Sequence, residues 1–464
     1  MDTILIGEIL SLMMFLGIIG VLLLGFPVAF TLPGVALIFA LIGTWLGAFD
    51  PSNLSSIAPR YMGIMLNDVL VAVPLFIFMG MMLERSGIAE QLLVTMGRLF
   101  GTLRGGLGIS VIAVGALLAA STGIIGATVV TMGLLALPSM LRAGYDPKLA
   151  SGVICASGTL GQIIPPSTVL IFMGDMLGGM NAQVQMELGN FAPKVVSVGN
   201  LFAGAFIPGL ILVATYMSYV IFRAVTDPES CPALTVTAEE RAGLMRDVIV
   251  TMIPTLALIV AVLGSILAGI ATPTESASVG AVGAMLLAAA RGRFTWANLR
   301  SVMESTATTT SMIFIILIGA SVFGLVFRML GGDDLVGEFM AALPGGKYGA
   351  IVFVMLLMFV LGFILDTFEI IFIIIPVTAP VLLLMGVDPV WLGVIVAVNL
   401  QTSFLTPPFG FSLFYLRGVC PEDVPTTAIY RGVVPFIVIQ LAVLGLLAAW
   451  PALVTWLPGI VYPG

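Results

Sequence analysis

Apolar runs long enough to cross a membrane recur along the chain, separated by short polar turns. A helical span needs about 20 apolar residues. On that measure spans are expected at 4–24, 27–46, 68–84, 149–177, 198–222, 247–270, 274–290, 305–327, 390–416 and 432–457. Two further stretches, 107–141 and 349–385, carry small or polar residues near their middles: Ser121-Thr122-Gly123 in one and Asp366-Thr367 in the other. Each half holds roughly 15 residues, short of a comfortable crossing. A re-entrant hairpin fits such a stretch, and two ordinary helices joined by a tight turn are the alternative. Stretches 89–103 and 333–342 are amphipathic; in the first, Leu92, Leu93, Met96, Leu99, Phe100 and Leu103 share one helical face, which reads as an interfacial helix. The longest polar connection, 223–246, lies near the midpoint.

The two halves repeat. Gly144-Tyr145-Asp146-Pro147 recurs as Gly386-Val387-Asp388-Pro389, Pro165-Pro166 as Pro407-Pro408 and Pro138 as Pro380, all at one common offset. Upstream, Pro27 matches Pro273 and Gly34 matches Gly280 after one small indel. The expected organisation is a first repeat at 1–225, a connector at 226–246 and a second repeat at 247–464. Each repeat holds five spans and one hairpin. An odd number of spans inverts the second copy. With the N-terminus outside, all but four of the 17 basic residues face the cytoplasm, and only Arg60, Lys194, Arg328 and Lys347 lie outside. The positive-inside rule selects this orientation over its mirror image. Counting either hairpin as two spans would flip everything after it. Hairpin 107–141 therefore enters from the cytoplasm, hairpin 349–385 from outside, and both termini are periplasmic. Inverted repeats with broken helices mark secondary transporters.

Composition narrows the chemistry. Hydrophobic residues make up 60% of the chain and charged residues 9%, against about a quarter charged in soluble domains. The chain is a polytopic all-α membrane protein. Its 53 Gly and 27 Pro fall within the apolar runs as well as between them, which a bilayer tolerates only where protein or a wet cavity satisfies the freed backbone. No His is present, which removes histidine metal sites, Ser-His catalysis and imidazole relays. Cys155, Cys231 and Cys420 form no CxxC pair, and a net charge of −7 argues against nucleic acid. Met1-Asp2-Thr3 is acidic, so the first apolar run reads as a span and not a cleaved signal.

The Gly-x-Asp-Pro elements read as punctuation. Gly144 and Gly386 suit left-handed helix ends, while Asp146 and Asp388 suit N-caps followed by Pro at the first helical position. The Pro-Pro pairs matter more. Pro165 and Pro166 cannot donate to the carbonyls of Gly161 and Gln162, nor Pro407 and Pro408 to those of Ser403 and Phe404. Both helices should break there. Before the first break stands Ser157-Gly158-Thr159-Leu160-Gly161-Gln162; before the second stands Asn399-Leu400-Gln401-Thr402-Ser403-Phe404-Leu405-Thr406. Freed carbonyls, hydroxyls and an amide are hard oxygen ligands suited to Na⁺. A Pro kink whose carbonyls bond neighbouring Ser and Thr is the bland alternative; two breaks at equivalent places favour an ion or substrate site. Asp366 either caps the second hairpin arm, with Glu369 one turn on, or serves an ion-linked role. Glu275 with Thr272 suits a capping box, and Asp175 reads as interfacial.

Three segments carry a resemblance: Gly-Thr-Leu-Gly-Gln-Ile-Ile-Pro-Pro-Ser at 158–167, Thr-Pro-Thr-Glu-Ser-Ala at 272–277, and Val-Asn-Leu-Gln-Thr-Ser-Phe-Leu-Thr-Pro-Pro-Phe-Gly at 398–410. With them the chain resembles, over nearly its whole length, the large membrane subunit of TRAP transporters, the DctM type. The resemblance implies a Na⁺-coupled importer of elevator type in the bacterial inner membrane, with scaffold and transport domains. It implies two partners: a small four-helix DctQ-type subunit, here a separate chain, and a soluble periplasmic binding protein. It places sodium between hairpin tips and unwound helices. By motif these are Ser121, Thr122 and Gly123 with Ser157, Gly158, Thr159 and Gly161, and Asp366 and Thr367 with Asn399, Thr402, Ser403 and Thr406. One departure stands out: family members often carry Ser-Ser after the tip glycine, where this chain has Ile124-Ile125. Phe363 to Glu369 looks like the branch that takes organic acids such as 2-oxo acids, lactate or aromatic acids.

The expected function is import of an organic acid anion by the large permease subunit, without catalytic residues or any cofactor beyond the coupling ion. A standalone Na⁺/divalent-anion symporter is the nearest alternative. A channel with two opposed hairpins ranks behind it, and an intramembrane enzyme last.

Overall fold

A computed structural model describes residues 3–122, 125–234 and 243–463, and of 120–122 the backbone alone. The described residues are helical with no strand. The helices are α1 (Thr3–Leu23), α2 (Val28–Trp45), α3 (Ile57–Met65), α4 (Ala72–Arg85), α5 (Ile88–Phe100), α6 (Gly106–Thr122), α7 (Ile125–Arg142), α8 (Pro147–Thr159), α9 (Thr168–Glu187) and α10 (Val198–Thr226). The second half gives α11 (Leu244–Leu267), α12 (Pro273–Ala290), α13 (Trp296–Met329), α14 (Gly332–Ala342), α15 (Lys347–Leu361), α16 (Thr367–Leu384), α17 (Pro389–Leu405), α18 (Phe411–Val419), α19 (Thr426–Ala449) and α20 (Ala452–Val461). Among them 8 helices are long and apolar enough to cross a membrane, or up to 10 with each bent pair taken as one.

Most expected spans appear within a few residues of their expected bounds, and the departures have local causes. Span 68–84 starts late, at Ala72, and α4 bends by 61° into the amphipathic α5. Helix α13 begins nine residues before the expected 305, because its first turns are polar and invisible to hydropathy. Its Arg300 and Glu304 pair one turn apart at 2.8 Å. The run 432–457 is not one helix: α19 ends at Ala449 and α20 resumes after Pro451, which cannot continue a helix. Stretch 107–141 becomes α6 and α7, and 349–385 becomes α15 and α16, each pair in mutual contact. Gly144 and Gly386 turn with φ of 84° and 78°. Asp146 caps α8 by accepting from the Lys148 N–H, with Pro147 at the first position. Thr272 and Glu275 form the expected capping box, their two bonds measuring 2.8 and 3.2 Å.

Contacts divide the chain into two compact units, and each draws on both sequence halves. The first comprises Met1–Leu70, Asp175–Val196 and Ala307–Pro389. There α1 packs on α2 and on α14, while α14, α15 and α16 pack on one another. Close approach depends on glycine: a Cβ on Gly7 would lie 2.6 Å from the Leu330 carbonyl, and one on Gly319 would lie 2.8 Å from the Ala29 carbonyl. The second unit comprises Val71–Gly174, Ser197–Thr306 and Val390–Gly464. It holds the first hairpin, α8, and nearly all of α17. Helix α8 is walled by α6, α7, α18 and α19. A methyl on Gly158 would overlap Val129 of α7, and one on Gly152 would overlap the Gly432 carbonyl of α19. Small residues of this kind let helix backbones touch inside a membrane. Neither unit coincides with a repeat, nor with the set of hairpins plus broken helices, since α15 and α16 group with α1 and α2.

Candidate functional site

Both helices break where the prolines require it. Helix α8 ends at Thr159, tightens into a 3₁₀ turn over Leu160–Gln162, and restarts as α9 at Thr168. Helix α17 ends at Leu405 and α18 begins at Phe411. Both Pro-Pro bonds are cis. Nearly every residue from Ser157 to Ser167 is buried, whereas Pro408 and Phe409 of the second break are exposed.

The freed carbonyls are partly taken up locally. Ser167 Oγ donates to the Gln162 carbonyl at 2.9 Å, and Ser412 Oγ donates to the Phe404 carbonyl at 2.7 Å. The bland reading therefore accounts for one freed carbonyl at the first break, that of Gln162, and for both at the second, where the Thr406 N–H also donates to the Ser403 carbonyl at 3.0 Å. The side chains expected as ion ligands are also largely turned onto their own helices. Ser157 Oγ donates to the Val153 carbonyl at 2.7 Å, Thr159 Oγ1 to Ala156 at 2.8 Å, Thr402 Oγ1 to Val398 at 2.8 Å and Thr406 Oγ1 to Thr402 at 2.7 Å. Each hydroxyl keeps lone pairs free to accept or to ligate. Gly158 and Gly161 are buried in α8 and its terminal turn, and Asn399 and Ser403 are buried in α17. Of the first hairpin tip, the side chains of Ser121 and Thr122 and the whole of Gly123 lie outside the described residues.

The second tip lies in the other unit. Asp366 is the N-cap of α16, and the Glu369 carboxylate accepts the Asp366 N–H at 2.9 Å, completing a reciprocal capping box. The capping role weighed for Asp366 is thus real. Thr367 is buried in the first turn.

Two clusters escaped the sequence reading. In the second unit, Gln401 Nε2 donates to Thr159 Oγ1 at 3.3 Å and to Tyr216 Oη at 3.5 Å, and Gln440 Nε2 donates to the same Tyr216 Oη at 2.7 Å. All four residues are 0% exposed. The available signal was a lone Gln or Tyr in an otherwise apolar run, since such a group must find a partner. In the first unit, Arg60 of α3 and Arg328 of α13 line one cavity of about 180 Å³ with Asp333 of α14. Arg328 Nε lies 2.9 Å from Asp333 Oδ2. Burial, and then the neighbouring Arg328 charge, press the Arg60 guanidinium below its ordinary value. Asp175, read as interfacial, is half-buried and accepts from Asn67 Nδ2 at 2.9 Å.

Comparison with known proteins settles the family. The family model of the tripartite ATP-independent periplasmic transporter, DctM component, matches residues 15–453. The chain belongs to the DctM family. It is therefore a multi-span transporter subunit and not an enzyme. It is 28% identical to the C4-dicarboxylate TRAP transporter large permease protein DctM of Rhodobacter capsulatus, over 97% of this chain and 99% of the relative. It is also 28% identical to the isethionate TRAP transporter permease protein DctMQ of Oleidesulfovibrio alaskensis, over 84% of this chain but 58% of that longer protein. The fold resembles the YdaH transporter of Alcanivorax borkumensis with a TM-score of 0.61 at 16% identity, covering 89% of this chain and 90% of that one.

Proposed function

We propose that this chain is the large permease subunit of a Na⁺-coupled importer of an organic acid anion, fed by a periplasmic binding protein. The observation that carries the reading is the pair of helix breaks, each preceded by buried residues that carry hydroxyl, amide and carbonyl oxygens. Na⁺ is held at each break by the ligand set that the family motifs imply: Ser121, Thr122 and Gly123 with Ser157, Gly158, Thr159 and Gly161 for one ion, and Asp366 and Thr367 with Asn399, Thr402, Ser403 and Thr406 for the other. Helix N-termini at the tips then attract the substrate carboxylate. The hairpins and broken helices carry it across as an elevator, with both termini periplasmic. The Arg60, Arg328 and Asp333 cavity supports an anionic cargo, because it holds one more positive than negative charge.

A small DctQ-type subunit works beside this chain as a separate protein, and the longer DctMQ relative supports its need for one. The relatives' cargoes differ, a C4-dicarboxylate in one and isethionate in another, so an organic acid anion is the class proposed. Coupling has a simple energetic logic. One net charge moving through 100 mV gains about 2.3 kcal/mol. A monoanion with two Na⁺ enters with one positive charge, whereas a dianion needs a third Na⁺ for the same gain.

The test is uptake into proteoliposomes holding this chain and its small subunit, under an inward Na⁺ gradient, with labelled organic acids. Uptake that requires both Na⁺ and the binding protein is expected. Uptake with Na⁺ alone would replace this reading with a standalone symporter, and uptake indifferent to Na⁺ would remove the ion sites.

A further inference from the structure

Thr159 and Gln401 are 242 residues apart, the same offset that separates Pro165 from Pro407 and Gly144 from Gly386. Two positions that correspond in the sequence repeat therefore touch, deep inside one unit. We propose that this contact couples the two sodium sites, with Gln401 as the positioning residue that transmits occupancy of one to the other. The proposal rests on the sodium reading above, in which Thr159 ligates one ion and Thr402, next to Gln401, ligates the other.

The geometry at Gln401 is that of a side chain with two places to be. Its Nε2 reaches Thr159 Oγ1 and Tyr216 Oη only at 3.3 and 3.5 Å, the long end of hydrogen bonding. Its Oε1 is buried and has no hydrogen-bond partner among the described residues, as is the Oε1 of Gln440. Thr159 already donates its proton to the Ala156 carbonyl. A cation on the remaining lone pairs of Thr159 Oγ1 repels the incoming Gln401 N–H and strengthens the threonine as a donor. Turning the Gln401 amide over relieves the repulsion: Nε2 swings away, and Oε1 comes to face the cation on Thr159 and the Tyr216 hydroxyl, which keeps a proton to donate. Tyr216 is the pivot. Its hydroxyl takes the short bond from Gln440, and its ring stacks edge-on against Phe436 at 5.2 Å. Gln401 stands on α17 directly before Thr402 and Ser403, so a change in its hydrogen bonding bears on the stretch that carries the second set of oxygens. Coupling between sites requires an element with two arrangements that both ligands bias, and this amide is one.

Coupling is read from the Na⁺ dependence of uptake, and by linkage it is reciprocal. The unmodified complex is expected to respond sigmoidally to Na⁺. Gln401→Leu keeps the volume and removes the amide. It should bring the Na⁺ response to hyperbolic and raise the half-saturating Na⁺ by about 5-fold or more, the lower end of usual coupling. Its thermal stability without Na⁺ should be unchanged or higher, since an unpaired buried oxygen is gone. A merely structural Gln would instead lower stability and leave the shape of the curve alone. Tyr216→Phe, which loosens the pivot, should shift the response the same way by a smaller factor. A sigmoidal curve with unchanged midpoint in both variants overturns the coupling. If Gln401→Leu does not fold, Tyr216→Phe decides, an unchanged curve sinking the proposal. Uptake by the unmodified complex that ignores Na⁺ overturns the sodium reading itself, and the coupling with it.

Discussion

The two helix breaks share a register and differ in how they are packed. The first is closed. Its helix, α8, has glycine where it meets α7 and α19, and the loop from Ile163 to Ser167 is almost wholly buried. The second is open on one side: Phe409 is 54% exposed, and the position corresponding to Gly152 is Val394, a fully buried side chain. Proline decides where each helix must stop. The neighbours decide how much of the stopped backbone the surroundings can reach. A duplicated motif therefore need not give duplicated sites.

The largest expected effect comes from reversing the packing. Gly152→Ala puts a methyl into the Gly432 carbonyl, which is backbone and cannot yield cheaply. A loss of about 3 kcal/mol or failure to yield a monodisperse complex is expected by thermal unfolding and size-exclusion in detergent. Val394→Ala, at the matching place on α17, should cost about 2 kcal/mol for the opposite reason, a cavity. If Gly152→Ala proves neutral, the closed description of the first break is wrong.

Accessibility gives the next contrast. On a background with the three native cysteines replaced, Phe409→Cys should react with a small thiol reagent at least about ten times faster than Ile163→Cys, which corresponds to about 1.4 kcal/mol of opening. Equal rates would mean the first break opens as readily as the second.

Smaller effects separate the local carbonyl partners. Ser167→Ala and Ser412→Ala each strand a carbonyl and should cost about 1–2 kcal/mol. The first should cost more, because the residues around it are the more fully buried. Smallest of all, Asp366→Asn keeps a good N-cap and should change stability by less than about 0.5 kcal/mol. If Na⁺-dependent uptake is lost while stability holds, the carboxylate charge serves the ion and not only the helix.

Much of the fold was legible because hydropathy and helix breakers act locally. Pro165-Pro166 and Pro407-Pro408 announced both breaks, and Thr272 with Glu275 announced a capping box, since each rule links residues a few positions apart. The polar start of α13 is invisible to any rule that measures spans by apolarity alone. Pro451 sits inside an apolar run, where hydropathy hides the helix end that its missing N–H imposes. The Thr159, Gln401, Tyr216 and Gln440 cluster was beyond reach. Its members come from four helices, and only folding shows which buried amide meets which hydroxyl. The same holds for Arg60 and Arg328, two of the four outer basic residues by charge count, which share a cavity no spacing rule could join.

The glycine contact between α8 and α19 also bears on biogenesis. Gly152 and Gly432 are 280 residues apart in a chain synthesised from its N-terminus. At about 5–20 residues per second, ribosomes need roughly 15–60 s to make the second partner after the first. Through that interval α8, only 13 residues long and rich in small and hydroxylic side chains, lacks the wall it is shaped to meet. The nascent chain must be held by the insertion machinery or by its own first hairpin until the last spans emerge. Truncations that stop before Thr426 should therefore be cleared by quality control, with α8 as the element left unwalled.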